Sequence, residues 1–171
     1  MRFHLKKRVR QDRWEECLDE HGEVLVLYAR QQTRSESDAK DVLQEALTET
    51  WDKAGHGTPS RARVFATIRR RAIDLGRSID RRARREERFF SGKPDWFEPD
   101  YTATDTGEQL IEAIQTLPAK LREVLILKIW GELAFPEIAD MMNIPVATAT
   151  SRYRYALEQL RKSETLIELK P

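Results

Sequence analysis

Residues 133–162, LAFPEIADMMNIPVATATSRYRYALEQLRK, limit the folds open to this chain more than any other stretch. Their pattern predicts two short helices joined by a tight turn. Ile138, Ala139 and Met142 give the first helix an apolar face. Pro136 fits a first helical turn, where its missing N–H is not needed. Asn143 tolerates the left-handed geometry that a helix end often requires. Pro145 blocks continuation and permits a new start. In the second helix Ala149, Tyr153, Ala156 and Leu160 share one face, while Thr148, Thr150, Ser151, Arg152 and Tyr155 fall mostly elsewhere. A helix with hydroxyls and an arginine near its N-terminus, braced by a crossing partner, suits a DNA major groove. The alternative is a helical hairpin inside some all-α core.

The net charge of +1 over 171 residues hides strong segregation. Asp12 to Asp52 holds twelve acids against Arg13, Arg30, Arg34 and Lys40. Arg61 to Arg88 holds eleven arginines against Asp74, Asp80, Glu86 and Glu87. Ser91 to Thr116 holds six acids and Lys93. Local fields of this kind, acting over a Debye length of about 10 Å, decide which partners a surface attracts. No run approaches the roughly 18 apolar residues of a membrane span, so no membrane insertion is expected. The basic N-terminus lacks the apolar stretch of a signal peptide, which predicts a cytoplasmic protein. Cys17 is the only cysteine, and His4, His21 and His56 are scattered, so neither a disulfide nor a metal or other cofactor is expected. His21 and His56 read as surface residues.

Periodicity predicts helices and no strand. Residues 13–32 form an apolar-rich helical stretch with Trp14, Leu18, Val24, Leu25, Leu27 and Tyr28. Ser35 or Ser37 can cap a second helix that ends before Gly55. There Val42, Leu43, Ala46, Leu47, Thr50 and Trp51 form the apolar stripe, and Asp38, Asp41, Glu45, Glu49 and Asp52 lie away from it. Residues 60–88 read as one long helix or two, with Gly76 as the candidate break. Their buried side is Val64, Phe65, Ile68, Ala72, Ile73 and Leu75. Residues 89–107 read as a linker that carries several aromatics. Helical pattern resumes with Leu110, Ile111, Ile114 and Leu117. Pro118 then starts another helix, packed through Leu121, Val124, Leu125, Leu127 and Ile129. The expected fold is all-α: helical domains at 1–88 and 108–171 joined by the linker, with the helix-turn-helix in the second.

Three segments together resemble bacterial RNA polymerase sigma factors of the small, two-domain extracytoplasmic-function (ECF) group of the sigma-70 family. Leu117, Pro118, Arg122, Glu123, Val124, Leu127, Glu137, Ile138, Ala139, Pro145, Thr148, Ser151 and Arg152 match the pattern of region 4, which reads the −35 promoter element. Asp38, Ala39, Asp41, Gln44, Glu45 and Trp51 match the region 2 helix that docks on the polymerase. Arg61, Ala62, Phe65, Arg69, Ala72, Ile73, Asp74 and Arg77 match the part of region 2 that reads the −10 element. The departures are Arg63, where the family usually has an aromatic, Arg70 for Asn, Thr150 for Lys or Arg, and Ala134 for a small hydroxyl residue. The first two bear on −10 melting, the last two on phosphate contacts in region 4.

Charge and spacing agree with what the resemblance implies. Asp38, Asp41, Gln44, Glu45 and Thr48 lie along one side of their helix. Acid there repels DNA and suits a basic partner, which the resemblance makes the clamp coiled coil of the largest polymerase subunit, with the flap as a further contact. The alternative is a solvated helix face. Arg61, Arg63, Arg69, Arg70, Arg77 and Arg81 are the candidate −10 contacts. This arginine-rich segment, Arg71 included, exceeds what internal acids are expected to neutralise, which leaves phosphates as counter-charge. A solvated basic helix or generic RNA contact is the alternative. Thr148, Thr150, Ser151, Arg152 and Tyr155 are the candidate −35 contacts. Arg152 is the leading base or phosphate reader, since arginine can donate bidentately to guanine; Thr148 and Ser151 are expected as phosphate anchors.

The resemblance thus implies a non-catalytic promoter-specificity subunit. It would bind core polymerase, recognise −10 and −35 elements and help melt promoter DNA, with an anti-sigma factor as an open further partner and no small-molecule substrate. The competing readings are a dimeric operator-binding regulator and a nucleic-acid enzyme. The first leaves the region 2 likeness unexplained. The second lacks a metal cluster, a phosphate-cradling glycine loop or a nucleophile–base pair.

Overall fold

The acidic and arginine-rich stretches fold beside each other. In a computed structural model that describes residues 2–54, 60–85 and 113–168, three helices make up the first part: α1 (Arg2–Gln32), α2 (Glu36–Ala54) and α3 (Arg61–Arg85). Side chains are described for 14–54, 60–82 and 113–162. The chain divides into two compact units, Met1–Glu98 and Pro99–Pro171. The linker expected at 89–107 and His56 lie outside the described residues, as do the side chains of Arg84 and Arg85.

Each helix start has a local cause. Ser35, not Ser37, caps α2: its Oγ accepts the Asp38 amide at 3.1 Å. Glu36 and Asp38 occupy the first turn of α2, where carboxylates favour the positive end of the helix dipole. α1 begins at Arg2, well before the expected residue 13. α3 runs unbroken through Gly76, whose missing side chain faces open space. Nothing there forces a break, and a single glycine costs a helix only about 1 kcal/mol.

The three helices pack on one another around Leu25, Tyr28 and Ala29 of α1, Val42 and Ala46 of α2, and Val64, Phe65 and Ile68 of α3, all at most 3% exposed. Tyr28 meets Phe65 edge to face at 5.2 Å, and Trp14 packs on Trp51 at 5.3 Å between ring centroids. Burial of each large side chain of this kind contributes about 1.5–3 kcal/mol. Leu18 is exposed on the outer side of α1. His21, expected at the surface, is buried instead, with Nε2 3.3 Å from Arg61 Nη1 and 3.4 Å from Glu20 Oε2. Four residues before Leu25 on a core-facing stripe, His21 is drawn inside, and its Nε2 can accept from Arg61 when unprotonated or donate toward Glu20 when protonated.

In the second unit the described residues begin with a helical turn at 113–116, followed by α4 (Ala119–Ile129), α5 (Phe135–Met142) and α6 (Val146–Glu168). Arg122, half-buried, donates from Nη1 to the Gln115 carbonyl at 3.1 Å and ties α4 to the preceding turn. Burial lowers its pKa from the ordinary arginine value. Val124, Leu125, Ile126 and Leu127 are all buried, so α4 is enclosed on several sides. Ile129, expected in the packing face, is 42% exposed because the helix ends there and the chain turns away. Gly131 makes that turn: a Cβ on it would sit 2.7 Å from the Leu127 carbonyl oxygen. α6 packs chiefly on α4 and also on α5. No strand occurs among the described residues, and the all-α expectation holds.

Candidate functional site

Three surfaces gather the residues singled out in the sequence. The first lies along α2. Asp41, Gln44, Glu45 and Thr48 line a groove of about 710 Å³ together with Glu49, Asp52, Lys53 and Arg71. Four of the five expected docking residues therefore share one concavity, while Asp38 stands apart at the start of the helix. The groove wall is held by ion pairs that sequence reasoning missed. Glu49 Oε1 accepts from Lys53 Nζ at 2.6 Å and Arg70 Nη2 at 2.5 Å, and Glu49 Oε2 accepts from Arg71 Nη2 at 2.8 Å. Arg71 Nη1 also donates to Glu45 at 3.0 Å. Lys53, then Arg70 and Arg71, hold the Glu49 carboxyl down at about 2 against partial desolvation. Glu49 lies on the edge of the stripe that includes Val42, Ala46 and Thr50, and its 14% exposure marks it off from the wet acids around it. The missed signal was that i, i+3, i+4 relation to the buried stripe.

The second surface is α3. Val64, Phe65, Ile68 and Ala72 face the core. On the opposite side Arg63, Arg70, Arg77 and Arg81 are exposed and fall within about 60° of one another around the helix axis, at roughly 100° per residue. They form a basic track about 27 Å long at 1.5 Å per residue, interrupted by exposed Asp74. Arg61 and Arg69 do not lie on this track: both are half-buried, and Arg61 reaches back to His21. Two of the arginines expected to seek phosphates find acids within the fold, and one acid of α3 is taken up by an arginine from outside it. Arg70 and Arg71 close on Glu49 and Glu45, and Asp80 of α3 pairs with Arg34 at 3.1 Å. The fold brings the acidic helix alongside the basic one, which charge counts along the sequence do not reveal. Burial pushes the Cys17 thiol above its ordinary pKa, against the opposing pull of the Arg61 charge.

The third surface is the helix-turn-helix formed by α5 and α6. Glu137 accepts the Ala134 amide at 2.7 Å, one half of a capping box. Ala134 has no oxygen with which to return the other half. Asn143 takes left-handed geometry at φ 53° and ψ 53°, and the Ile144 amide donates back to the Ala139 carbonyl at 3.0 Å. Pro145 follows, and its carbonyl accepts the Thr148 and Ala149 amides as α6 begins. Ala149, Ala156 and Leu160 are buried, and Tyr153 stacks edge to face on Phe135 at 5.6 Å. The expected inner stripe is thus in place. Thr150 is exposed, and its hydroxyl donates to the Val146 carbonyl at 3.0 Å. Thr148, Ser151 and Arg152 are half-buried, and Tyr155 is 51% exposed. Arg154, absent from the sequence-based set, is exposed beside Tyr155, its Cζ 5.7 Å from the ring centroid.

No cluster of three or more metal-ligating side chains occurs among the described residues, and no described helix is long and apolar enough to cross a membrane. The arrangement is one of binding surfaces: an acidic groove, a basic track and a helix-turn-helix.

Comparison with known proteins agrees. The family model for sigma-70, region 4 matches residues 107–160. The ECF RNA polymerase sigma factor RpoE of Cereibacter sphaeroides is 34% identical over 134 residues, covering 74% of this chain and 72% of that protein. The ECF RNA polymerase sigma factor SigL of Mycobacterium tuberculosis is 32% identical over 148 residues, covering 84% of each. The fold is similar to that of the sigma factor RpoE in a co-crystal structure with the anti-sigma factor NepR from Bartonella quintana, with a TM-score of 0.67 and 19% identity over 92% of this chain and 98% of that one. A helical protein with these surfaces is a promoter-specificity subunit of bacterial RNA polymerase. The chain belongs to the ECF sigma factors of the sigma-70 family. That family is one of non-catalytic subunits that work with polymerase core and promoter DNA.

Proposed function

We propose that each surface engages one part of the initiation complex. The first unit, taken as 1–88, docks on core polymerase through Asp38, Asp41, Gln44, Glu45 and Thr48. It contacts the −10 element along the track of Arg63, Arg70, Arg77 and Arg81, while Arg61 and Arg69, half-buried off that track, are the remaining candidates for it. The second unit, taken as 108–171, places the start of α6 in the major groove of the −35 element, with Thr148, Thr150, Ser151, Arg152 and Tyr155 in reach. The segment 89–107 links the two, and the protein acts in the cytoplasm, where the polymerase is, with no catalysis of its own. The observation that carries the docking assignment is the groove: residues picked for charge and spacing line one concavity of acidic character. A basic helix of the polymerase clamp fits that chemistry. A relative of similar fold was crystallised with an anti-sigma factor, and we extend that class of partner to this chain.

Competition for core enzyme tests the docking face. Asp41→Lys with Glu45→Lys should weaken core binding while helicity, read by circular dichroism, stays intact. Undiminished affinity would remove the groove from the polymerase interface. For α3, Arg69→Ala and Arg77→Ala should keep core binding and lose open complexes in permanganate footprints of the −10 region. Wild-type melting by both would assign this helix to another surface.

A further inference from the structure

The sequence favours Arg152 as the base or phosphate reader of α6, and the structure turns a different arginine outward. Relative to the buried Ala149, Arg152 lies only about 60° around the helix, whereas Arg154 lies about 140° away, on the outward side. Burial follows the same geometry: Arg152 is half-covered and Arg154 is exposed. Outward positions are the ones that face base edges when a helix lies in the major groove, and flanking positions face the phosphate walls. Arg154 lies about 12 Å from the start of α6, but helical side chains lean toward the N-terminus, which carries its guanidinium back over the turn containing Ser151 and Thr150. The guanidinium is also seated, with Cζ 5.7 Å from the Tyr155 ring centroid. The nearby Glu158 carboxylate accepts its hydrogen bond from Lys162 Nζ at 2.9 Å, and the Arg154 charge acts on it only as a weaker, longer-range attraction. A guanidinium resting on an aromatic face keeps its in-plane N–H donors available. Those donors match the O6 and N7 acceptors of guanine.

We propose that Arg154, seated on Tyr155, is the specificity-determining residue of the −35 helix and reads a guanine, and that Arg152 is a phosphate anchor. This rests on the reading that α6 enters the −35 major groove. The test uses holoenzyme assembled from the full chain and core polymerase, incubated with a pool of promoter duplexes randomised across the −35 element. Wild type should select a guanine at one or more positions. Arg154→Ala should lower preference for one such guanine by roughly 10- to 100-fold and leave the other positions as they were. Arg152→Ala should weaken all sequences alike and reduce the salt slope by about one unit. Tyr155→Leu should weaken the preference at the same position. In the selected duplex, 7-deazaguanine at that position should cost wild type about what Arg154→Ala costs, and should cost the Arg154→Ala protein little.

Several results would overturn the proposal: a selected element without guanine, a uniform loss in Arg154→Ala, or a position-specific loss in Arg152→Ala instead. A Tyr155→Leu protein with full preference would overturn the seat. If wild-type holoenzyme shows no preference at any −35 position, the placement of α6 itself fails, which is a different outcome from each of these.

Discussion

Glu49→Gln should loosen the first unit by a calculable amount. Glu49 is 14% exposed and receives Lys53, Arg70 and Arg71. Its carboxyl is held at about 2 against an ordinary 4.5. Full conversion of that difference at 1.36 kcal/mol per pKa unit gives about 3 kcal/mol. The cations are 62%, 50% and 37% exposed, so solvent screening brings the expected loss to roughly 1–2 kcal/mol. The chain has two units, so a whole-protein melting curve would blend them. Hydrogen exchange of α2 and α3 peptides in the intact protein isolates the effect, and their slowest amides should exchange about 5- to 30-fold faster in the variant. The pH dependence has a definite sign. Because the folded pKa lies below the unfolded one, the stabilisation is complete above about pH 4.5 and is lost as pH falls toward about 2. The gap between wild type and Glu49→Gln should therefore narrow from pH 5 downward, and also in about 1 M salt. Equal exchange rates at neutral pH and low salt would show that the α2–α3 ion pairs contribute nothing to cohesion.

Ala134→Ser should stabilise the second unit by about 0.5–2 kcal/mol, since Glu137 already supplies half of the capping box and serine restores the other half; faster exchange in α5 would contradict this. Gly131→Ala should cost about 1–3 kcal/mol, because the new methyl meets the Leu127 carbonyl of α4 at 2.7 Å; unchanged exchange protection in α4 would show that the turn yields freely. Asn143→Ala should cost about 1 kcal/mol at φ 53°, whereas Asn143→Gly should be neutral or better; the two are compared by the same measurement.

Local rules made the helices legible. The residues that end α5 and start α6, Asn143 and Pro145, act through backbone geometry alone and needed no knowledge of the fold. The α6 stripe was readable because small and aromatic side chains repeated at helical spacing. What escaped depended on neighbours distant in sequence. Glu49 looked like any wet acid until α3 was laid beside α2, and His21 looked like surface until Arg61 arrived, 40 residues on, to satisfy it. Ile129 had the right spacing, but helix termination left it outside. Among the candidate contacts, the stripe already fixed the inner face of α6, while the half-burial of Arg152 and the seat of Arg154 beside Tyr155 became visible only in the packed helix.

Ala149 and Ala156, both fully buried on the inner side of α6, act as spacers. Each is a single methyl thick, so together they set how closely α6 lies against its supporting helices. A larger side chain at either position would lift α6 as a rigid body, and every outward residue would move with it without being altered itself. On the proposed placement of α6, promoter preference is thus exposed to change from two directions: by replacing the outward side chains, or by shimming the helix from behind. The second route touches no nucleotide, and a search for specificity determinants confined to the DNA-facing surface would overlook it.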